Sequence, residues 1–317
     1  MRKVDAFQAF CSGVAVLGLF FGACSSDEAL FRDTGDQGDM TDAREDVRFT
    51  DDNRRDAATD SGGKVEVSVD ARSVIEAARQ TDVGAVTPPK SDLDWQGSKT
   101  GLVAYWSFNE AGGSIVADGS GNRNHGTVSG HTMGVPSRVL GKKGNGVLLR
   151  ADLGSSFVAQ QSSSIDSPAS TGSITLSAFV KVTSSPENPT QPTAIISRQE
   201  ATTDYHHSWL GLLGGRPAAK LRLFVGVAPS PIPLNQWVNL TCTYDGVTMK
   251  LYQDGLLVFR QDSGSPLTGT RTPILIGAEY SPAGVRNFFD GEIDEVLVYS
   301  VALSAADVVK LSAAAQP

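Results

Sequence analysis

Three carboxylates lie close together near the C-terminus, at Glu292, Asp294 and Glu295. Two carboxylates about 5–5.5 Å apart can serve as nucleophile and acid/base in retaining glycoside hydrolysis. On a β-strand, side chains alternate between faces, so cooperating carboxylates must stand at i, i+2 and i+4. Val296 occupies the third position, and Glu295 is expected on the face opposite Asp294. The pattern therefore favours a structural strand with one solvated carboxylate and with Asp294 held by a loop or a metal.

A glycine-rich loop at residues 118–126 is a second candidate for chemistry. Asp118, Ser120 and Asn122 place side-chain oxygens at i, i+2 and i+4, as calcium-binding loops do. One carboxylate is too little for a calcium site on its own. The alternative is an Asx-turn, in which Asp118 and Asn122 bind their own backbone.

A third group of residues combines aromatic, imidazole and guanidinium side chains. Sugar sites need aromatic rings that stack on pyranose faces beside planar polar groups. A metal site is not favoured, because the two adjacent histidines of this group would point to opposite faces of a strand. Each aromatic ring can equally belong to the core or its rim. The predicted ligand rim consists of Tyr205, His206, His207, Tyr280 and Arg286, with Trp209 and Phe288 as further aromatic candidates.

Other catalytic signatures are missing from the sequence. It contains no Gly-x-Ser-x-Gly, His-Glu-x-x-His or Walker loop, and no Gly-x-Gly-x-x-Gly after a strand. Of the three cysteines, Cys242 lies in an alternating strand pattern, where it is expected to act as a small buried hydrophobe. The sequence therefore predicts no catalytic residues and no enzymatic activity.

Residues 1–24 are predicted to be a signal peptide. Arg2 and Lys3 precede an apolar run that is too short to span a bilayer, although a signal anchor is the alternative. Phe21-Gly-Ala-Cys24 resembles a bacterial lipobox, which implies lipidation of Cys24. With Ser26 rather than Asp two residues later, lipoprotein sorting rules imply the outer membrane, facing the periplasm or the cell surface. The expected location is therefore the cell envelope.

Residues 25–98 are predicted to be a disordered tether. The segment is rich in aspartate and poor in aromatic residues, so it cannot bury enough apolar surface to offset chain entropy. Most of the overall net charge of -8 lies there, and residues 100–317 are nearly neutral. A folded part without a basic face does not favour nucleic acid as a partner.

Residues 99–317 read as short strands separated by turns, which predicts an all-β, two-sheet antiparallel sandwich. Inward positions are expected from Ile174 to Val182 and from Val238 to Tyr244, at every second residue. Ser304 and Asp307 form a capping box that predicts a short helix after the last strand.

Three motifs in this region resemble one family. Phe289-x-Gly-x-Ile-Asp-Glu-Val-x-x-Tyr299, Asp118-x-Ser-Gly-Asn-x-Asn-x-Gly126 and Trp237-x-x-x-x-x-x-Tyr-Asp-Gly246 are similar to motifs of laminin G-like and pentraxin-like domains of the concanavalin A-like lectin/glucanase type. Phe179 and Asn239 depart from the usual Trp and His. The resemblance covers residues 100–312 and implies a jelly roll whose two ends pair, which would bring Asp294 to Asp118 and complete a structural calcium site.

The resemblance implies a non-catalytic module at the bacterial envelope that binds carbohydrate or mediates adhesion. A structural, protein-binding lipoprotein is the alternative, and a divergent glycoside hydrolase is a second one, because family 16 glycosidases share the fold. The expected partners are a glycan or an envelope or extracellular protein, and the membrane through the lipid. We expect a monomer.

Overall fold

The structure is a computed structural model that describes residues 98–129, 136–184, 188–199, 206–262, 267 and 269–313. The signal peptide with Cys24, and the tether before residue 98, lie outside these residues, as does Tyr205. The described part is built almost entirely from β-strands, as β-branched residues, aromatics and frequent Gly and Asp turns dictate. In chain order the strands are β1 (Leu102–Trp106), β2 (Ile115–Val116), β3 (Gly126–Ser129), β4 (Ser137–Leu140), β5 (Asn145–Leu149), β6 (Ser156–Ala159), β7 (Ile174–Lys181), β8 (Pro192–Gln199), β9 (His206–Leu213), β10 (Arg216–Arg222), β11 (Phe224–Val227), β12 (Val238–Tyr244), β13 (Thr248–Gln253), β14 (Leu256–Asp262), β15 (Ile274–Ile276), β16 (Glu279–Ser281), β17 (Gly284–Arg286) and β18 (Gly291–Tyr299).

The strands form two large antiparallel sheets. The first sheet has the order β14-β13-β12-β7-β18-β5-β4, with β1 also paired to β18. The second has the order β11-β10-β9-β8-β15-β6-β3-β2, and β16 and β17 form a separate hairpin. The predicted two-sheet antiparallel sandwich is confirmed.

The main hydrophobic core lies between the sheets. On β7 and β12 it receives the alternate residues that the sequence predicts to point inward, from Ile174 to Val182 and from Val238 to Tyr244. Cys242 belongs to this core, and burial raises the pKa of its thiol to about 12. The predicted role of Cys242 as a small buried hydrophobe is confirmed.

Two helices complete the described part, α1 (Ser167–Thr171) and α2 (Ala305–Ala313). The capping box is confirmed, because the Asp307 backbone N–H donates to Ser304 Oγ and this hydroxyl donates to Asp307 Oδ2. α2 buries Val308 and Leu311 in a cluster with Tyr252, Leu297 and Tyr299 on the outer side of the first sheet. Neither helix in the described residues is of a length and apolarity that would cross a membrane.

Candidate functional site

Several strands of both sheets begin or end at the same end of the sandwich. In the first sheet β18 begins at Gly291 opposite Leu149, the last residue of β5. In the second sheet β8 begins at Pro192 opposite Leu213, the last residue of β9. The loops that follow or precede these strands therefore meet. Loops held by a rigid sandwich are common positions for binding residues.

An inner pocket of about 140 Å³ opens between the sheets at this end. Its lining includes Val182, Leu212 and Phe289, which belong to the main core, and the half-buried Phe288. The pocket is thus apolar inside and polar at its mouth. Its other lining residues are Ala151, Ser184, Gln191, Thr193, Gly215 and Asp290.

Phe288 is positioned by a tight turn. A single 3-10 turn at Ala151–Leu153 ends at Gly154, which has φ 62° and ψ 32°. This left-handed conformation favours glycine. A Cβ at Gly154 would lie 3.6 Å from Cζ of Phe288, so the ring sits directly over the turn. Phe288 also packs against a cluster that includes Tyr280.

An open outer depression of about 640 Å³ adjoins the inner pocket. The two cavities share Ala151 and Asp290, whose contact is a hydrogen bond of 3.2 Å from the Ala151 backbone N–H to Asp290 Oδ1. This bond ties the 3-10 turn to the loop before β18. We call the two cavities together the polar groove. The remaining residues of the outer depression are Leu148, Arg150, Asp152, Thr183 and Glu292.

The charges of the polar groove are mostly paired. Arg150 Nη2 lies 2.8 Å from Asp152 Oδ2, with both side chains more than half exposed, and this partner raises the pKa of the guanidinium through its hydrogen bond and its charge. Lys181 Nζ donates to both carboxylate oxygens of Glu292, at 3.0 and 3.1 Å. Lys181 also lies 5.9 Å from the ring centre of the half-buried Trp237, which adds a second aromatic beside the groove.

The predicted calcium loop is satisfied by hydrogen bonds. Asp118 Oδ1 accepts from the N–H groups of Tyr105 and Ser120, and Oδ2 accepts from Ser120 Oγ and the Asn124 N–H, all at 2.7–2.9 Å. Asn122 donates its amide to backbone carbonyls of β1. Both carboxylate oxygens of Asp118 therefore accept hydrogen bonds in this conformation. Asp118 matches the Asx-turn alternative, because its Oδ1 accepts from the Ser120 N–H, whereas Asn122 binds β1 and not its own backbone.

Asp294 is held by a different loop. Its Oδ2 accepts a hydrogen bond of 2.9 Å from the Lys143 N–H, which confirms that Asp294 is tied to a loop. Burial raises its pKa to about 8, and the Glu295 charge adds to this. Within the described residues, no group of three or more His, Cys, Asp or Glu side chains can hold a metal ion. Calcium binding stays a prediction.

The expectation that Glu295 faces away from Asp294 is wrong. The pairing of β18 with β7 shifts register between Asp294 and Leu297, and Glu295 has φ 51°. This β-bulge breaks the alternation of side chains. The Tyr105 hydroxyl donates to Glu295 Oε1 at 2.8 Å, and the charges of both carboxyl groups raise the pKa of Tyr105 after burial. Asp294 and Glu295 are 0% and 3% exposed.

Part of the predicted ligand rim assembles around a residue that the sequence did not single out. Glu279 is completely buried, and its Oε2 lies 3.0 Å from His206 Nε2 and 3.9 Å from Lys220 Nζ. Arg286 Nε donates to Oε1 at 3.1 Å. Burial disfavours ionisation, yet the hydrogen bond and charge of His206, with the charge of Lys220, hold the pKa of Glu279 below its usual value. We call Glu279, His206, Lys220, Arg286 and Asn287 the Glu279 cluster.

Most rim side chains are closed to solvent. Tyr280 and His207 are buried, and so is the ring of Trp209, which stacks 4.4 Å under Lys220 Nζ. Of the four rim residues that the structure describes, Arg286 alone is exposed. None of the four lines the two cavities of the polar groove. Ligand binding by the rim stays a prediction.

Sequence reasoning missed most of the polar groove. Phe288 was an aromatic candidate, and Asp290-Gly291 is a turn signal at its edge. Arg150 and Asp152 carried no signal, because their approach to Asp290 depends on the pairing of β5 with β18, which are distant in the sequence.

Comparison with known proteins identifies the type of domain. Residues 155–309 match the Laminin_G_3 family model, described as the concanavalin A-like lectin/glucanases superfamily. Residues 155–309 of the described domain are similar to this superfamily. The predicted resemblance is therefore confirmed over these residues. No curated protein matches the sequence significantly.

Solved structures with this concanavalin A-like fold are distant in sequence. Domain 4 of AbnA, an arabinanase from Geobacillus stearothermophilus solved with arabinotriose, has a TM-score of 0.51 and 21% identity over 68% of this chain and 100% of its own. The binding domain of Paraclostridial Mosquitocidal Protein 1 has a TM-score of 0.52 and 17% identity, and the match covers 68% of this chain and 52% of its own. The botulinum neurotoxin DC binding domain, solved with rat synaptotagmin II, has a TM-score of 0.52 and 14% identity, and the match covers 69% of this chain and 53% of its own. This chain thus spans about half of the two toxin domains, and the likeness shows the fold.

Proposed function

We propose that this chain is a non-catalytic carbohydrate-binding module and that the polar groove holds the glycan. The observation that carries the proposal is one accessible groove that joins an inner pocket lined by apolar residues to an outer depression lined by the carboxylates of Asp152, Asp290 and Glu292. Sugar sites combine apolar and aromatic surface with a few placed polar groups. The arabinotriose complex of the AbnA domain supports the same class of ligand on this fold.

The buried acid pair supports a non-catalytic role. A general acid in glycoside hydrolysis needs a raised pKa and access to the glycosidic oxygen. Burial raises the pKa of both Asp294 and Glu295, but both side chains are closed to solvent and neither lines the polar groove. These two carboxyl groups therefore have no route to a substrate in this structure.

A protein-binding role is the second candidate, and an exposed apolar patch favours it. Leu256 and Leu257 on β14 are 72% and 53% exposed. Val309 of α2 is half exposed, and its Cα would lie 3.2 Å from a Cβ at Gly255, the residue before β14. Contiguous exposed apolar surface often marks a protein interaction site.

Binding of the full chain to a glycan array tests the first candidate. We expect binding to neutral glycans that Asp290→Ala weakens, whereas Asp262→Ala, which removes an exposed carboxylate on β14, leaves it intact. The array is run with calcium and with chelator, and loss of binding on chelation would support the calcium prediction at residues 118–122. No glycan binding by folded protein would reject the proposal and favour the protein-binding candidate.

We further propose that a lipid on Cys24 anchors the chain at the outer membrane, with the aspartate-rich segment as its tether. The lipobox-like Phe21–Cys24 sequence supports this. Expression in a Gram-negative bacterium followed by membrane fractionation tests it. We expect wild type in the outer-membrane fraction and Cys24→Ser in the soluble fraction. An unchanged distribution of Cys24→Ser would contradict lipidation.

A further inference from the structure

The two cavities of the polar groove differ in size and closure. The inner pocket, at about 140 Å³, ends on Val182, Leu212 and Phe289, and these three residues belong to the main hydrophobic core. An apolar cavity of roughly 150 Å³ holds about one six-membered ring. The outer depression is several times larger and open. A glycan therefore enters the inner pocket with a single sugar unit, and the closed floor requires that this unit be a chain end.

The side chains of the inner pocket determine which substituents the terminal sugar can carry. Val182, Leu212 and the two phenylalanines offer no hydrogen-bond partner at the floor, whereas Gln191 and Ser184 stand at the mouth. A hydroxyl buried against the floor would lose its bonds to water without replacement. A methyl group there gains from burial instead, and one buried methyl tightens association about four-fold. The floor thus favours a deoxy or acetamido sugar.

The outer depression selects by charge. It presents the carboxylates of Asp152, Asp290 and Glu292 against two cations, and each cation is already paired, Arg150 with Asp152 and Lys181 with Glu292. The local balance is negative. Uronic or sialic acid units would meet like charge, which disfavours them. Neutral hydroxyls can donate to the carboxylates.

We propose that the polar groove recognises the end of a neutral glycan, with a methyl-bearing terminal sugar in the inner pocket and the following units across the outer depression. This inference rests on the proposed function and names the ligand class of the same site. It assigns selectivity to two different parts of the groove, methyl recognition to the floor formed by Val182, Leu212 and Phe289 and rejection of anions to Asp290 and its neighbours.

Calorimetry on the full chain with three tetrasaccharides tests the inference. The probes are chitotetraose, which carries acetamido groups, cellotetraose, which carries only hydroxyls, and tetragalacturonate, which is anionic. We expect chitotetraose to bind at least four-fold tighter than cellotetraose, and tetragalacturonate to bind weakest. If no probe binds, the proposed function fails and the inference with it. If all three bind equally, or the anionic one binds best, the proposed function stands and the inference is overturned.

A pocket-filling variant separates the two parts of the groove. Gln191→Trp places a large ring at the mouth of the inner pocket at an exposed position, and Leu140→Trp adds the same ring on β4, outside both cavities. We expect Gln191→Trp to abolish the preference for chitotetraose over cellotetraose and Leu140→Trp to retain it. A preference that survives in Gln191→Trp would place methyl recognition elsewhere and overturn the inference.

Discussion

The polar groove and the Glu279 cluster use similar side chains in opposite ways. Both combine carboxylates, cations and aromatic rings. In the groove, Asp152 and Arg150 are more than half exposed and adjoin open cavities. In the Glu279 cluster the carboxylate is completely buried, and His206 is nearly so. Residue type alone therefore does not distinguish a binding surface from an internal ionic network.

The difference follows from where the two groups lie on the sheets. The groove residues stand on loops at strand ends, where backbone and side chains face water. Glu279 opens the β16–β17 hairpin, and its partners come from β9, β10 and β17, so four strands surround one carboxylate. A buried charge of this kind requires its partners and contributes to the fold, whereas the exposed charges are available to a ligand.

The largest expected effect is on stability, at Glu279. Glu279→Ala leaves His206 and Lys220 near a site with no counter-charge, and removing one partner of a buried ion pair costs about 3 kcal/mol. Urea unfolding measures this loss of stability, and Glu279→Gln is the control that keeps hydrogen bonding. Folded Glu279→Ala should retain wild-type glycan affinity. If Glu279→Ala kept wild-type stability but lost glycan affinity, the Glu279 cluster would be a binding site and not a structural network.

The groove should show the opposite response at Asp290. Asp290→Ala removes an exposed hydrogen-bond acceptor, and losing one charged hydrogen bond to a ligand weakens affinity at least about ten-fold. Stability should fall by about 1 kcal/mol, because the substitution also removes the hydrogen bond from the Ala151 backbone N–H. Calorimetric titration measures the change in affinity, and urea unfolding of the same preparation measures the change in stability. A loss of stability as large as that of Glu279→Ala would make Asp290 structural.

The third response is a pH dependence from Asp294, which lies two residues along β18 from the half-buried Glu292. Burial raises the pKa of Asp294 to about 8, against about 4 in an unfolded chain. Its contribution to stability is fully present below about pH 4 and is lost as the pH rises through about 8. We expect the free energy of unfolding to decline from pH 5 to pH 8, and the Asp294→Asn variant to lack this part of the decline. The control Asp262→Asn, which changes an exposed acid, should keep the full decline of the unfolding free energy with pH. If Asp294→Asn also kept the full decline, the pKa of Asp294 would be ordinary and the prediction would be wrong.

Features of the fold that depend on neighbouring residues were predictable from the sequence. The capping box of Ser304 and Asp307 requires only a spacing of three, and the inward face of β7 requires only alternation. Both are confirmed. Alternation failed at Glu295, because the β-bulge arises from pairing with β7 and leaves no local sequence signature.

The candidate site was harder to predict than the fold. His206 and Arg286 were selected for their chemistry, but Glu279, which binds both, is distant from His206 in sequence and gave no pattern. Arg150 and Asp290 likewise meet only because β5 pairs with β18. Aromatic residues in loops gave an ambiguous signal, since Tyr280 is buried while Phe288 is half exposed.

Hydrogen exchange of the full chain with and without a bound glycan tests the central claim most directly. Ligand contact slows exchange of the backbone N–H groups that it covers. The account predicts added protection in the peptides that contain residues 150–153 and 288–292, and none at residues 206–209 or 279–286. Protection confined to residues 206–209 and 279–286 would contradict it and would place the ligand at the Glu279 cluster.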